Sequence, residues 1–470
     1  MRRPAANTRL GLHAALLCLA LASPGTVLAQ AAPAPAAAPT STVRPEAVRA
    51  PVAFLAGEAL QGRGSATRDE AIAAAYVASQ FESFGLQMPP GMDSYLQQAP
   101  VIMPELRGEP VLKVGGKKVT GLALIAASPS PVRGQFQLVR GEDPAAIPAG
   151  AVVAVASAGM KLQEMFGAAR RRGVKLLLVR QNAGTDRITA AFDGKTGFDP
   201  YLEGHARETM AIAILPAAAF DRLAARAGQA VSLDLPGLVL DRRTTTNALG
   251  YLPGRDPSAG VILISAHLDH IGRLADGTVL LGANDDASGV AAVIELARAL
   301  AAGPRSRSAI LFAGYGSEEL GGLGSTWFAE HSPVPLASIA ANVAFEMIGA
   351  QDPKLPGGTL MMTGFERSNL GEALAARGAL LAADPYPEQN FFQRSDNYQL
   401  ALKGVVAHTI SGWAVTPDYH EKTDTVARLD IAFMTRAIQS LVDPLRRLAA
   451  GDFRPEWKGE GRPVPRAGTR

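Results

Sequence analysis

The chain lacks several features that would place it in other protein classes. Its one cysteine, Cys18, lies in an N-terminal segment expected to be removed, so the exported protein would have neither a disulfide nor a cysteine nucleophile. The N-terminal apolar stretch, 10–22, is shorter than the roughly 20 residues that a membrane-spanning helix needs. Without that N-terminal segment, 43 basic and 43 acidic side chains remain. A net charge of zero gives no electrostatic footprint for binding DNA or RNA.

The first 29 residues have the composition of a secretory signal peptide. Three arginines stand at its start, the apolar stretch follows, and Val27-Leu28-Ala29 provides a small-residue cleavage site before Gln30. Residues 30–43 are rich in Ala and Pro, which is typical of an extended linker. We therefore expect an exported protein, periplasmic or secreted, with no stable membrane insertion once the signal is removed.

The pattern of apolar and polar residues changes at two points along the remaining chain. Thr67 and Glu70 fit a capping box at the start of a helix that Gly85 ends. Short apolar runs with turn signals then predict an inserted, smaller β-rich domain, whereas the last 230 residues alternate strand and helix. The predicted divisions are 1–29 signal peptide, 30–43 linker, 44–105 N-terminal part of the main domain, 106–240 inserted domain, 241–450 remainder of the main domain and 451–470 polar tail.

Alternation of strands with helices predicts an α/β fold, with a mostly parallel sheet covered by helices on both faces. In such a sheet, ligands bind beyond the carboxyl ends of the strands. Acidic, histidine and tyrosine side chains occur at those ends in this sequence. They are His267, Asp269, His270, Asp285, Asp286, Glu318, Glu319, Glu346, Tyr419 and His420.

Taken singly, these residues also have purely structural interpretations. Asp285 or Asp286 would serve as a cap for the following helix, Glu318 and Glu319 as a solvated pair, and His420 as a surface histidine. Their joint occurrence at consecutive strand ends instead predicts a metal site. Oxygen and imidazole ligands without thiolate suit zinc.

The number of ligands favours two metal ions. Two histidines and three carboxylates exceed the three protein ligands of one catalytic zinc, but they fit two ions about 3.5–4 Å apart that share a carboxylate. In an adjacent Glu pair, one member would bind metal and the other would move a proton between water and the leaving amine.

Six segments, in order and spacing, resemble the M28 family of zinc aminopeptidases: SAHLDHIG, GANDDASG, SEE, FEMIG, RSDN and YHEKTDT. The resemblance extends from about Arg44 to Leu448 and includes an inserted protease-associated (PA) domain. It implies two Zn²⁺ ions per chain, with Asp285 bridging them. The other implied metal ligands are His267, Glu319, Glu346 and His420.

The resemblance also implies roles for the residues around the metals. Glu318 would be the general base, Asp269 would orient His267, and Tyr419 would polarise the scissile carbonyl. In the RSDN segment we expect Arg394 and Asp396 to bind substrate.

The sequence departs from the family pattern in two ligand-bearing segments and in one near them. Glu346 replaces the commoner Asp, which leaves the position of the second metal open. Asn397 stands where His is common, and the EKTDT segment lacks a frequent Pro, but neither change removes a ligand.

The expected activity is removal of N-terminal residues from peptides, with attack by a metal-bridging hydroxide. A carboxypeptidase or a glutaminyl cyclase on the same fold is the nearest alternative. A non-catalytic binding protein on a degenerate peptidase scaffold is a further one, although such proteins lose ligands and this sequence keeps them.

Overall fold

The computed structural model describes residues 42–156, 161–191, 196–205 and 209–464. The predicted signal peptide, and the predicted linker as far as residue 41, lie outside these residues. Within them, no helix is both long and apolar enough to cross a membrane.

Ten α-helices occur in the described residues. In chain order they are α1 (Pro45–Leu55), α2 (Arg68–Ser83), α3 (Leu162–Arg171), α4 (Ala183–Ala191), α5 (Ala217–Ala224), α6 (Gly289–Ala301), α7 (Leu323–Glu330), α8 (Leu370–Ala375), α9 (Asn397–Leu402) and α10 (Ile431–Ala450).

Nineteen strands occur in the same residues. They are β1 (Leu96–Leu106), β2 (Val111–Val114), β3 (Lys117–Val119), β4 (Ala123–Ala126), β5 (Val132–Val139), β6 (Val152–Val155), β7 (Leu176–Arg180), β8 (Tyr201–Leu202), β9 (Ala211–Leu215), β10 (Ala230–Asp234), β11 (Leu238–Leu252), β12 (Val261–His267), β13 (Gly272–Arg273), β14 (Val279–Leu280), β15 (Ala309–Tyr315), β16 (Ile339–Glu346), β17 (Leu360–Met362), β18 (Leu381–Ala383) and β19 (Val406–Ser411).

The larger sheet has nine strands in the order β18-β17-β19-β16-β12-β15-β11-β1-β8. Its centre is parallel, because β12 pairs in parallel with β15 and β16, and β16 with β19. Strands β11 and β17 join this centre in antiparallel pairing. The predicted α/β class is confirmed, with a sheet that is mixed and has a parallel core.

Both faces of this sheet are covered, as the apolar strands require. Along β12, Ile262 and Ile264 belong to the core formed with α1, α6 and α10. The alternate residue Leu263 packs in a second core with Phe328 of α7 and Leu400 of α9. The period of two along the strand thus places helices on opposite faces.

The segment between β1 and β11 forms a second sheet of eight strands, in the order β3-β2-β10-β5-β6-β7-β9-β4. Strands β1 and β11 pair antiparallel over their length, from Leu96 opposite Ala248 to Leu106 opposite Leu238. They form the ribbon through which the chain leaves and re-enters the larger sheet. The identity of the inserted segment as a PA domain stays a prediction.

The end of the described chain lies against the part of the molecule that is built on the larger sheet. Trp457 donates its indole N–H to the carbonyl of Gly404, 3.1 Å away, and forms a β-bridge with Ser368. The indole also packs against the apolar core.

Candidate metal centre

The parallel centre of the sheet brings the predicted site residues to one edge. His267 ends β12 and is in register with Tyr315 at the end of β15. Glu346 ends β16 and is in register with Ser411 at the end of β19. Because parallel strands end at the same edge, the loops that follow them converge.

Asp285 lies between two histidines at this edge. Its Oδ1 is 3.2 Å from Nε2 of His267, and its Oδ2 is 3.2 Å from Nε2 of His420. The same His420 nitrogen lies 3.2 Å from Oε2 of Glu319. One carboxylate with an oxygen toward each imidazole is the arrangement that a bridging ligand requires.

A third histidine, His270, also belongs to the cluster, although it was not among the predicted ligands. Its Nδ1 lies 2.8 Å from Oε1 of Glu319 and 3.8 Å from Oδ2 of Asp285. Ligand atoms of His270, Asp285, Glu319 and His420 all lie within 4.8 Å of one another. The available signal was its place three residues after His267 in the HLDH segment.

The cluster fits a cation on the chemistry of its donors. Several buried imidazole nitrogens have no hydrogen-bond partner in the described chain: Nδ1 and Nε2 of His267, Nε2 of His270 and Nε2 of His420. Burial of a polar atom without a partner is costly, and metal coordination removes that cost. Imidazole and carboxylate donors without sulfur match the preference of zinc.

The electrostatics of the cluster show how strongly its groups interact. Burial would lower the pKa of His267, but Asp269 and Asp285 outweigh burial and raise that pKa well above its ordinary value. Burial likewise opposes ionisation of Asp285, yet His267 and His420 lower the pKa of its carboxyl. The Asp285 carboxylate thus stabilises the protonated form of the neighbouring imidazoles, and the imidazoles stabilise the ionised form of Asp285.

Glu318, Glu346 and Tyr419 line the same cavity as Asp285 and Glu319. Burial raises the pKa of Glu318 well above its ordinary value, and burial raises that of Glu346 to about 7. The ring of Tyr419 stacks on His420 with ring centres 3.9 Å apart, and burial raises the pKa of its phenol.

Of the two residues expected to bind substrate, Arg394 lines the cavity and Asp396 does not. Arg394 lines the cavity, with its guanidinium carbon 5.0 Å from the ring centre of Phe391. Asp396 is buried, 3% exposed, and is not among the residues that line the cavity.

The two aspartates that begin the helical turn before α6 have different surroundings. Asp286 accepts hydrogen bonds from the amides of Gly289, His267 and Met347, at 3.0, 3.3 and 2.9 Å. It therefore caps α6 and ties the ends of β12 and β16 together. Gly289 is needed there, since a Cβ atom would lie 2.4 Å from Asp286 Oδ1. The capping interpretation holds for Asp286, whereas Asp285 points to the histidines.

Asp269 is fully buried and joins two loops of the site. Its Oδ1 accepts the amide of Glu318 at 3.0 Å, and its Oδ2 accepts the Ser65 hydroxyl at 2.6 Å and the amide of Glu319 at 3.3 Å. Its Oδ1 also lies 3.7 Å from Nδ1 of His267. The carboxylate is thus adjacent to the histidine that it was expected to orient.

Further supports of the loop that carries Asp285 were missed in the sequence. Arg63 is fully buried and donates to the carbonyls of Leu281, Gly282 and Asp285. Asp424 accepts the amides of Asn284 and Asp285 at 2.7 and 3.0 Å. These contacts join residues 139 to 222 positions apart, which no local pattern signals.

The carboxyl edge of this α/β sheet gathers buried imidazoles and carboxylates into a candidate metal centre. Comparison with known families identifies it further. The model of peptidase family M28 matches residues 247–443, less than half of the chain, and this region is similar to that family.

Two curated relatives match parts of the chain. The probable lipoprotein aminopeptidase LpqL of Mycobacterium tuberculosis is 30% identical over 207 residues, which are 37% of this chain and 39% of that protein. Leupeptin-inactivating enzyme 1 of Streptomyces exfoliatus is 34% identical over 149 residues, 28% of this chain and 32% of that protein. The matched regions thus span only 39% and 32% of the length of these two relatives.

Two solved structures share the fold over most of their length. An aminopeptidase from Aneurinibacillus sp. strain AM-1 superposes with a TM-score of 0.57 at 19% identity, over 87% of this chain and 95% of that one. The zinc aminopeptidase BSAP from Bacillus subtilis gives a TM-score of 0.54 at 17% identity, over 90% of this chain and 98% of that one. At these identities the likeness concerns the fold alone.

Proposed function

We propose that the protein is an exported, zinc-dependent aminopeptidase that binds two zinc ions. The observation that supports this most directly is the placement of Asp285 between His267 and His420, each 3.2 Å from a different carboxylate oxygen. One of the matched relatives, LpqL, is named as a probable aminopeptidase, which agrees with the proposed activity. The proposal of export rests on the sequence of residues 1–29.

Each ligand has a place in this proposal. His267 and Glu346 would hold one ion, His420 and Glu319 the other, and Asp285 both. When bound, the ions supply Lewis acidity and lower the pKa of a water molecule.

The remaining steps belong to the chain's own side chains. Glu318 lines the cavity beside the ligands, where its carboxylate would take a proton from water and return it to the leaving amine. The phenol of Tyr419, in the same cavity, would donate a hydrogen bond to the carbonyl oxygen of the substrate. Arg394 would contact the substrate beyond the scissile bond.

The lining of the cavity bears on the choice between an aminopeptidase and its alternatives. Four carboxyl groups line it: Asp285, Glu318, Glu319 and Glu346. Three of them are proposed zinc ligands, so their charge would compensate the metal ions and does not by itself select an N-terminal ammonium. Arg394 is the observation that favours the carboxypeptidase alternative, because a guanidinium binds carboxylates.

We propose that the inserted segment 106–240 covers one side of the site and restricts large folded substrates. It joins the larger sheet through the ribbon of β1 and β11. Hydrolysis of folded proteins as fast as of dipeptide analogues would contradict this.

A screen of fluorogenic aminoacyl and blocked peptidyl substrates, with zinc analysis of the purified protein, tests the function. We expect hydrolysis only of substrates with a free N-terminus, at two zinc ions per chain. Release of C-terminal residues would establish a carboxypeptidase, and a pyroglutamyl product with one metal would establish a cyclase. Zinc binding without any turnover would establish a binding protein.

A further inference from the structure

Residues at the start of α2 contact the loops of the candidate metal centre, although they lie outside the region 247–443 that the family model matches. Glu70, in the first turn of α2, is fully buried. In the sequence it fits the third position of a capping box. In the structure Thr67 accepts the amides of Asp69 and Glu70, but the Glu70 carboxylate is used elsewhere.

The Glu70 carboxylate accepts five hydrogen bonds from three segments of the chain. Its Oε1 accepts the hydroxyl of Thr245 at 3.0 Å and the amide of Thr246 at 2.9 Å. Its Oε2 accepts the amide of Ala66 at 2.8 Å, and both the amide and the hydroxyl of Ser317, at 3.0 and 2.9 Å. Both oxygens are therefore fully engaged as acceptors.

Ser317 is the residue directly before Glu318 and Glu319. Its φ of 53° is in the left-handed region, which is unfavourable for a residue with a side chain and needs support from its surroundings. The Glu70 carboxylate supplies that support through two hydrogen bonds. Gly316 packs equally closely, because a Cβ atom there would lie 2.9 Å from Cδ of Glu70.

Thr245 and Thr246 lie on β11, the strand that returns from the inserted segment. Glu70 therefore ties the turn that carries Glu318 and Glu319 to the base of the ribbon formed by β1 and β11. We propose that Glu70 is a positioning residue that fixes this turn, and with it the proton-transferring carboxylate of Glu318. The inference rests on the proposed roles of Glu318 and Glu319.

Glu70→Gln tests this role, because the amide nitrogen of glutamine donates where the carboxylate oxygen accepted. In the Oε2 place, the amide nitrogen deprives the backbone amides of Ala66 and Ser317 of their acceptor. In the Oε1 place, it deprives the backbone amide of Thr246 of its acceptor. We expect kcat to fall about 10–100-fold, the usual loss on removing a supporting partner, with KM within about twofold. Amide hydrogen exchange in the peptide 315–321 should become faster at unchanged global protection.

Glu295→Gln is the matched control. Glu295 is 2% exposed and pairs with Arg298 at 2.8 Å within α6, so the change also removes a buried carboxylate. We expect it to lower the unfolding temperature while kcat and exchange in 315–321 stay at wild-type values. If Glu70→Gln does not fold, Glu70→Asp takes its place, because it draws the carboxylate back by one methylene. We expect the same fall in kcat and the same faster exchange in 315–321.

The proposal is overturned if the folded Glu70 variant keeps wild-type kcat and wild-type exchange in 315–321. If the wild-type protein hydrolyses no aminoacyl substrate, the proposed function fails, yet the exchange measurement still decides on Glu70. Faster exchange confined to 315–321 supports the positioning role, and unchanged exchange rejects it.

Discussion

The backbone amide of Glu318 donates a 3.0 Å hydrogen bond to Oδ1 of Asp269. That same oxygen lies 3.7 Å from Nδ1 of His267. One buried carboxylate is thus shared between a proposed metal ligand and the backbone of the proposed general base. A change at Asp269 should therefore affect both metal binding and catalysis.

Asp269→Asn removes this shared charge. The neutral amide can keep one accepted hydrogen bond but holds His267 less firmly, so we expect metal affinity or activity to fall by about 10–100-fold. Zinc titration and steady-state kinetics measure the two effects. Asp276→Asn, at an exposed loop position, is the control and should leave both unchanged. An Asp269→Asn protein equal to wild type would show that the carboxylate only completes a loop.

Glu318→Gln separates proton transfer from metal binding. We expect kcat to fall by about 10²–10⁴-fold, the usual share of general acid–base catalysis, while zinc content stays at two per chain. Metal analysis and kinetics on one preparation measure both. Glu319→Gln is the matched comparison and should lose zinc. Loss of zinc from the Glu318 variant would instead make Glu318 a ligand and reverse the roles within the pair.

His270→Ala tests the histidine that the sequence left without a role. Because Nδ1 of His270 lies 2.8 Å from Glu319, we expect the change to weaken zinc affinity about 10–100-fold, whether the ring supports the ligand or binds the ion. Competitive zinc titration against a chelator measures the affinity. His205→Ala, at a half-exposed position, should leave it unchanged. Unaltered zinc affinity in the His270 variant would make its contact with Glu319 merely structural.

Glu346→Asp restores the residue that is commoner in the family. Zinc–oxygen bonds are held near 2.0–2.2 Å, so a site built around the longer acid should lose a contact when the carboxylate is drawn back by one methylene. We expect lower occupancy of one metal, and a larger loss in Glu346→Gln, where the neutral amide compensates less charge. Glu366→Gln, at an exposed position, is the control in the zinc titration. Two full equivalents at unchanged affinity in Glu346→Gln would remove Glu346 from the ligands.

His408 gives a prediction about stability that does not involve the metals. Burial lowers the pKa of this imidazole, which lies between Ser368 and Thr363, from 6.5 to about 4. Between these values the unfolded chain binds a proton that the folded chain does not. Stability is therefore present above pH 6.5 and is lost as the pH falls toward 4, by about 3 kcal/mol at most.

His408→Gln should remove this contribution to the pH dependence. Urea unfolding of both proteins at several pH values between 4 and 7 measures it, and the difference between their unfolding free energies should shrink as the pH falls. A difference that stays constant over this range would contradict the lowered pKa.

The central strands follow from local signals in the sequence, because they are short runs of apolar residues. The run AIAIL forms β9, and the run VILIS at 261–265 forms the body of β12. The acidic and histidine residues at the strand ends converge because the central strands are parallel. The supporting residues were not predictable, since Arg63 and Glu70 contact partners about 175 to 247 positions away.

The sequence by itself determined the α/β alternation, the sheet edge at which the site forms and the residue types that suit a metal. These features follow from hydrophobic periodicity and from motif spacing, which are local properties of the sequence. Tertiary structure alone decided that His270 joins the cluster, that Asp286 caps α6 while Asp285 faces the histidines, and that Glu70 supports the turn of Glu318. Such choices depend on which buried donors and acceptors meet in space, and only packing of the folded chain brings those partners together.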